Sequence, residues 1–277
     1  MKHKQPLKIY FLKGASFISD LLPGRSENKG SIRVLFYHNI TDLPVLREWH
    51  QMTTPRSLFE KHACYLAENG YRTITADEVC GLLASDKDIP KKHVCLTFDD
   101  GYRDNYDNAF PILEKYKFKA TIFLSAGFVG KRDGAQKYMT WREIAEMAEC
   151  GRFEFGCHSL SHKNLASLDG NSLKKEIEDA KKIIEDNTGK SVSTFAYPFG
   201  WQNSFDNRVI DAVMRAGFSC AFTAIHGANT KKTHLFKLRR IRISWLNEIG
   251  EFRKALRGSY DWYSIYQTGF SLCKKIL

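Results

Sequence analysis

Two short clusters of ionisable side chains have residue types and spacing that could do chemistry together. The first is the pair Asp99 and Asp100, which follows the apolar run 93–98 and precedes Gly101. The second is His158 and His162, which follow the alternating run 152–157. Side chains alternate along a strand, but a chain that turns at a glycine can direct two adjacent carboxylates into one cavity. We therefore expect both clusters to lie at strand ends.

Together these residue types suit a catalytic metal ion. The two histidines are four residues apart, the spacing of one helical turn, so both imidazoles are expected to face one point. Two neutral imidazoles and one carboxylate form a three-ligand set that leaves positions open for water and substrate. Two close carboxylates raise each other's pKa unless a cation lies beside them. Each cluster alone is more typical of a solvated turn or a surface pair, but their combination predicts a metal site.

The elements that must position these clusters alternate between strand and helix. The predicted strands cover 32–38, 71–74, 93–98, 120–124, 152–157, 193–197, 218–223 and 237–243. Among the helices between them, two begin with capping boxes, Thr75–Glu78 and Thr140–Glu143. This alternation predicts an α/β fold with a parallel sheet, and seven or eight units predict closure into a single-domain barrel. Both clusters then lie at the C-terminal ends of strands, the face that holds the active site in such barrels.

Three segments are expected along the chain: a basic amphipathic arm with its linker at 1–30, the barrel at 31–258, and an aromatic, basic tail at 259–277. Lys13 interrupts the apolar part of the arm and no small-residue cleavage site follows, so the arm does not resemble a signal peptide. No apolar run reaches the 18 residues or so of a membrane span. The sequence therefore predicts a cytoplasmic protein, with peripheral attachment to a membrane surface through the arm and tail as an open alternative.

The composition indicates which partners and which redox compartment are expected. A formal charge of +11 favours anionic surfaces, including phospholipid headgroups and lipid-linked phosphates. Nucleic acid is not predicted as a partner, because no binding motif is present and the aromatic residues do not interleave with the basic clusters. The seven cysteines are odd in number, form no CxxC pair and fall mostly in apolar segments. They predict free thiols in a reducing compartment instead of a disulfide framework.

Three motifs, in this order and spacing, resemble those of the NodB-homology polysaccharide deacetylases, carbohydrate esterase family 4. They are TFDDGY at 97–102, HSLSH at 158–162 and FAYPFG at 195–200. The resemblance covers roughly residues 31–245. It implies a distorted (β/α)7–8 barrel that hydrolyses N-acetyl groups on amino sugars with a divalent metal ion, commonly zinc.

The resemblance also implies roles for individual residues. Asp99 corresponds to the catalytic base, while the metal ligands correspond to Asp100, His158 and His162. A backbone N–H near the third motif would contact the oxyanion. The residues expected to shape the site and contact substrate are Tyr102, Ser159, Tyr197 and Phe199.

The sequence departs from the family pattern at two places. Ala196 stands where the third motif normally begins with arginine, and the late Leu-x-His motif that supplies the usual general acid is missing. A subgroup that resembles the biofilm poly-N-acetylglucosamine deacetylases has a strand ending in Tyr-His near its start, as at His38. The first and last strands of a barrel are neighbours, so we expect His38 to be the general acid and Arg240 to replace the arginine beside Asp99.

Alternatives stay open for these assignments. His38 would otherwise only pack and Arg240 only contact solvent, with His226 and His234 as rival general acids. The leading functional hypothesis is a metal-dependent hydrolase that removes N-acetyl groups from N-acetylhexosamines of a polysaccharide or lipid-linked saccharide. The alternatives are a hydrolase of another non-peptide amide and a catalytically inactive carbohydrate-binding relative. The intact set of metal ligands and the spare carboxylate argue against an inactive relative, because a binding module needs neither.

Overall fold

Eight parallel strands form a curled sheet around a buried interior. The computed structural model describes residues 30–43, 51–134, 136–264 and 267. The strands of the sheet are β1 (Arg33–Tyr37), β4 (Arg72–Ile74), β5 (His93–Asp100), β6 (Ala120–Leu124), β9 (Phe153–Cys157), β10 (Thr194–Ala196), β11 (Cys220–Phe222) and β12 (Ile241–Arg242). Four short strands form two further ladders: β2 (Asn39–Ile40) with β3 (Thr53–Thr54), and β7 (Arg132–Asp133) with β8 (Gln136–Lys137).

The strand order is β11-β10-β9-β6-β5-β1-β12, with β4 paired to the start of β5. The first strand therefore lies beside the last, where Leu35 is in register with Ile241. A parallel bridge between Phe222 and Leu238 joins β11 to the segment that leads into β12. The predicted parallel α/β barrel is confirmed, although β12 is shorter than the expected strand 237–243.

Helices cover the outside of the sheet. They are α1 (Arg56–Glu68), α2 (Ala76–Ala84), α3 (Phe110–Lys115), α4 (Trp141–Glu149), α5 (Gly170–Lys174), α6 (Ala180–Thr188), α7 (Asn207–Arg215) and α8 (Ile249–Arg257). Both predicted capping boxes are present, at the N-termini of α2 and α4. Two π-helical turns, Asn105–Ala109 and Lys175–Asp179, precede α3 and α6. Single-turn π-bulges frequently mark functional sites, and both of these contact the site described below.

The apolar side chains form two layers, one inside the curl of the sheet and one between the sheet and its helices. Val34, Phe123 and Phe222 belong to the inner layer, whereas Leu35, Phe98 and Ile122 belong to the outer one. Alternation along each strand thus assigns neighbouring residues to opposite layers. The inner layer fills the barrel towards the N-terminal ends of the strands and leaves the C-terminal end for polar groups.

The prediction that the cysteines are all unpaired is wrong for two of them. Cys80 of α2 and Cys220 of β11 form a disulfide, although 140 residues separate them in the sequence. The two lie in the same inner layer, an adjacency that the curl of the sheet creates and that sequence spacing does not indicate. The cysteines described as free are Cys64, Cys95, Cys150 and Cys157.

The expected arm at 1–30 lies outside the described residues except for Gly30, and so does the expected tail beyond Ser264 apart from Gln267. Their predicted amphipathic and membrane-contacting character stays a prediction. In the part of the chain that is described, no helix combines the length and the apolar character needed to cross a bilayer.

The close packing beneath the site can be tested by substitution of Gly156. A Cβ atom here would lie 2.5 Å from the buried Phe123 ring and 2.7 Å from Oγ1 of Thr194. Gly156→Ala is therefore expected to lower the free energy of unfolding by about 1–3 kcal/mol, the usual cost of overpacking. Urea denaturation would measure it. Gly81→Ala in α2 is the control, because nothing lies within 4 Å of its Cβ and alanine favours the helix. Equal stability of the two variants would contradict this packing.

Candidate active site

Strand β5 ends with Asp99 and Asp100, whose side chains lie on opposite faces of the strand. Asp99 pairs in register with Phe123 of β6, and Asp100 with Leu124. Both are buried, with 2% and 6% exposure. Asp100 has a φ of 72°, a left-handed conformation that turns the chain at this point. The turn lets two consecutive carboxylates serve one cavity while facing different partners.

Asp100 meets the two histidines of the second motif. Its Oδ1 lies 3.6 Å from Nε2 of His158 and 3.5 Å from Nε2 of His162. Among the described residues this Oδ1 is buried without a hydrogen-bond partner. Tetrahedral zinc with bonds of 2.0–2.1 Å places its ligand atoms roughly 3.3 Å apart. The three atoms therefore fit a divalent cation, and a cation would satisfy the buried carboxylate oxygen.

The tautomer of His158 is set by the backbone. Its Nδ1 lies 2.7 Å from the carbonyl oxygen of Ala196, which can only accept, so Nδ1 carries the proton. Nε2 is then left with a lone pair directed to Asp100. Burial lowers the pKa of His158 to about 4, although Asp99 opposes the shift. The ring is therefore neutral near pH 7, the form that binds metals.

The predicted helical turn between the histidines is wrong. Residues 158–162 form an irregular loop in which Ser159 and His162 have φ values of 65° and 54°. The Oγ of Ser159 accepts a hydrogen bond from the N–H of His162 and closes the loop. The imidazoles still converge, with ring centroids 5.0 Å apart. Two left-handed residues achieve the convergence that the helical turn was expected to provide.

Glu176 braces this loop from outside. It lies on the π turn 175–179, is buried, and accepts hydrogen bonds from the N–H groups of Leu160 and Ser161 at 3.1 and 2.8 Å. The hydroxyl of Ser161 also donates to it. Sequence reasoning missed Glu176 because it belongs to a helix rich in charged residues. The signal in the sequence was an acidic residue at a position that the helical pattern assigns to the buried side.

Arg240 lies beside Asp99, the position expected for the displaced arginine. Its two terminal nitrogens contact the two carboxylate oxygens at 2.6 and 2.8 Å. Its Nε donates to the carbonyl of Thr223, and Phe36 stacks against the guanidinium at 4.4 Å. The whole arrangement is buried. Burial raises the pKa of Asp99, but Arg240 outweighs this and lowers it to about 2, so Asp99 stays ionised at neutral pH.

His38 follows β1 at the same mouth and is 6% exposed. Its Nδ1 is buried with no hydrogen-bond partner among the described residues, while its carbonyl accepts from Asn105 at 2.8 Å. Asn105 opens the other π turn. Burial lowers the pKa of His38, and the charges that act on it most strongly are those of Asp99 and Asp100. His38 therefore belongs to the surroundings of the carboxylate pair.

The rival histidines lie elsewhere. Burial lowers the pKa of His226 to about 4, and the charges that act on it most strongly are those of Asp261, Arg33 and Arg239. His234 is exposed and caps a short 3-10 helix through a hydrogen bond from the N–H of Phe236. Their placement does not bring either histidine to the carboxylates.

The four residues expected to contact substrate divide into two pairs. Phe199 is 51% exposed and packs against His162 at 4.8 Å, and Tyr102 lies beside Asp100 and stacks on Tyr138 at 5.1 Å. Both therefore lie beside the proposed metal ligands. Ser159 is fully buried in its loop, so the expected substrate contact is not available to its hydroxyl.

Tyr197 is also fully buried, and its hydroxyl donates to the carbonyl of Phe236. Its own N–H donates to Phe222 within the sheet. Because Pro198 has no N–H, Phe199 is left as the backbone donor of this motif. The side chain of Tyr197 supports the motif from inside the core and does not face the cavity.

We predict that Glu176→Ala weakens metal affinity about 10- to 100-fold, because outer residues that orient ligands typically contribute this much. Titration of metal-free protein against a competing chelator would measure it. Glu178→Ala on the same π turn, whose exposed side chain pairs with Lys174, is the matched control. Unchanged affinity in Glu176→Ala would show that the loop holds its histidines without this brace.

Comparisons with known proteins agree with this fold and identify the family. The family model described as polysaccharide deacetylase matches residues 86–221. YxkH of Bacillus subtilis, whose name assigns it to the polysaccharide deacetylases, is 32% identical over 220 residues, covering 79% of this chain and 74% of the relative. A poly-beta-1,6-N-acetyl-D-glucosamine N-deacetylase of Staphylococcus aureus is 30% identical over 207 residues, covering 72% of this chain and 70% of the relative.

A solved structure supports the fold independently. The deacetylase PplD of Streptococcus pyogenes, in complex with acetate, superposes with a TM-score of 0.73 at 24% identity, covering 83% of this chain and 99% of that protein. The family model and the sequence relatives together identify the protein as a deacetylase. The chain belongs to the polysaccharide deacetylase family.

Proposed function

We propose that this enzyme is a zinc-dependent hydrolase that removes N-acetyl groups from N-acetylhexosamine residues of a polysaccharide or a lipid-linked saccharide. The observation that carries the proposal is the separation of two adjacent carboxylates, Asp100 towards the histidines and Asp99 towards Arg240. Poly-N-acetylglucosamine, the substrate that names the Staphylococcus aureus relative, is the first polymer to test.

Asp100, His158 and His162 would hold the cation. Two neutral imidazole nitrogens and one carboxylate oxygen suit zinc and leave part of its coordination open. A divalent cation held there supplies a Lewis acid for the acetyl carbonyl and lowers the pKa of water. The remaining requirements of amide hydrolysis fall to residues of the chain itself.

Asp99 is the proposed base. It is ionised at neutral pH, and Arg240 fixes the plane of its carboxylate through two hydrogen bonds. Each carboxylate oxygen keeps a lone pair that can accept a proton from the attacking water. Arg240 is the positioning residue in this arrangement, because it acts on the reaction through Asp99.

His38 is the proposed acid for the leaving amine. Its Nδ1 has no partner among the described residues, and Asn105 anchors its backbone. Burial lowers its pKa while Asp99 and Asp100 favour the protonated imidazole, which would donate its proton to the amine nitrogen. The N–H of Phe199 is the proposed oxyanion donor, and the rings of Phe199 and Tyr102 would border the sugar.

We predict that Asp100→Ala, His158→Ala and His162→Ala each lose bound metal and activity together, whereas Asp99→Asn keeps metal and loses turnover. Elemental analysis of purified protein and acetate release from N-acetylated oligosaccharides measure the two properties. Thermal denaturation of each variant checks folding. Loss of metal from Asp99→Asn as complete as from Asp100→Ala would overturn the division of roles.

His38→Ala is expected to reduce kcat by about 10²–10⁴-fold with metal content unchanged, the range for a lost general acid. His234→Ala, whose exposed side chain caps a short 3-10 helix, is the control and should keep kcat within a few fold. A normal kcat in His38→Ala, with a large loss in His226→Ala or His234→Ala, would assign the acid to another histidine.

A further inference from the structure

A second cavity opens beside the candidate active site, where β11 and β12 approach each other. Its volume is about 200 Å³. The residues that give this seam cavity its chemistry are Trp201, His226, Arg242, Tyr260 and Tyr263, with Arg240 at its inner end. All of them except Trp201 lie C-terminal to the stretch that the family model matches.

The seam cavity adjoins the site at two points. Arg240 lines the cavity and also holds Asp99. Trp201 lies two residues beyond Phe199, whose ring contacts His162. A saccharide with one ring at the metal ligands can therefore extend its next ring into the seam cavity.

The walls suit a neutral sugar ring. Indole and phenol rings offer flat apolar faces with polar edges, and pockets of this kind add a few placed polar groups for orientation. A volume below the roughly 300–1,000 Å³ of pockets for drug-sized ligands suits one ring. The Nε2 of His226 is buried without a hydrogen-bond partner among the described residues, and a sugar hydroxyl would supply one.

Arg242 is the residue of this cavity that would distinguish an acetylated sugar ring from a deacetylated one. None of the described carboxylates forms an ion pair with it, whereas Glu251, the acidic group of the same cavity, accepts from the hydroxyl of Tyr260 and lies 3.6 Å from Lys254. The guanidinium can donate to the carbonyl of an acetamido group. It would repel the ammonium group that replaces the acetamido group after deacetylation.

We infer that the seam cavity binds the sugar ring next to the one being hydrolysed and selects a neighbour that is still N-acetylated. This inference rests on the proposed deacetylase function. Because each reaction turns an acceptable neighbour into a cationic one, the enzyme slows as deacetylation proceeds. The product is then a partially deacetylated polymer with spaced amino groups.

The test uses the metal-loaded full chain and a series of N-acetylhexosamine tetrasaccharides, one fully acetylated and the others with a single free amine at each position in turn. We expect kcat/KM to fall at least about fivefold when the amine lies next to the reacting ring, the lower limit for two like charges 4 Å apart in water. Arg242→Gln should abolish this discrimination and Arg242→Lys should keep it. Arg72→Gln, at the opposite end of the strands, is the charge-matched control.

Binding to metal-free protein separates this inference from the proposed function. Calorimetry should show that the fully acetylated tetrasaccharide binds more tightly than the amine-bearing one, and that Trp201→Ala weakens both. Equal kcat/KM across the series, or discrimination that survives Arg242→Gln, would overturn the subsite while leaving the deacetylase intact. Failure of every acetylated saccharide to release acetate would refute the function, and the binding difference would still decide the subsite.

Discussion

The buried ion pair between Arg240 and Asp99 is the constraint on which the mouth of this barrel depends. Removing two charges from water costs several kcal/mol per ion, and only close, fully hydrogen-bonded geometry compensates for it. Here two charge-assisted bonds, a carbonyl of the neighbouring strand and an aromatic face surround the guanidinium. The pair links the residue that precedes β12 to the end of β5, across the intervening β1. Removing either partner would leave an uncompensated charge in the interior.

Around this pair the site is held in conformations that an isolated chain would avoid. Four of the six non-glycine residues with positive φ in the described chain belong to the site: Asp100, Ser159, His162 and Phe199. Left-handed conformations of such residues persist only where the surroundings over-determine them. One π turn supports the loop of Ser159 and His162 through Glu176, and the other anchors the backbone of His38 through Asn105. Buried hydrogen bonds from residues behind the metal ligands thus stabilise the strained backbone of the histidine loop.

Much of the architecture could be predicted from sequence because it depends on local pattern. Alternating apolar runs and capping boxes located most strands and helices within a few residues, and their order implied a parallel sheet. The errors occur where tertiary contacts override local pattern. The histidine pair at helical spacing lies in a loop, and β12 begins only after Arg240, whose side chain binds Asp99. The pairing of Cys80 with Cys220 depends on the curl of the sheet, which no linear spacing encodes.

The sequence by itself determined which groups were available: two adjacent carboxylates, two histidines four residues apart, and a histidine at the end of the first strand. These are properties of residue type and position, which spacing reveals directly. Only the tertiary structure decided what each group faces. The turn at Asp100 separates the two carboxylates, the backbone of Ala196 orients His158, and closure of β12 against β1 delivers Arg240 to Asp99. Each of these contacts joins residues far apart in the chain, so its energy depends on packing that forms only when the barrel closes.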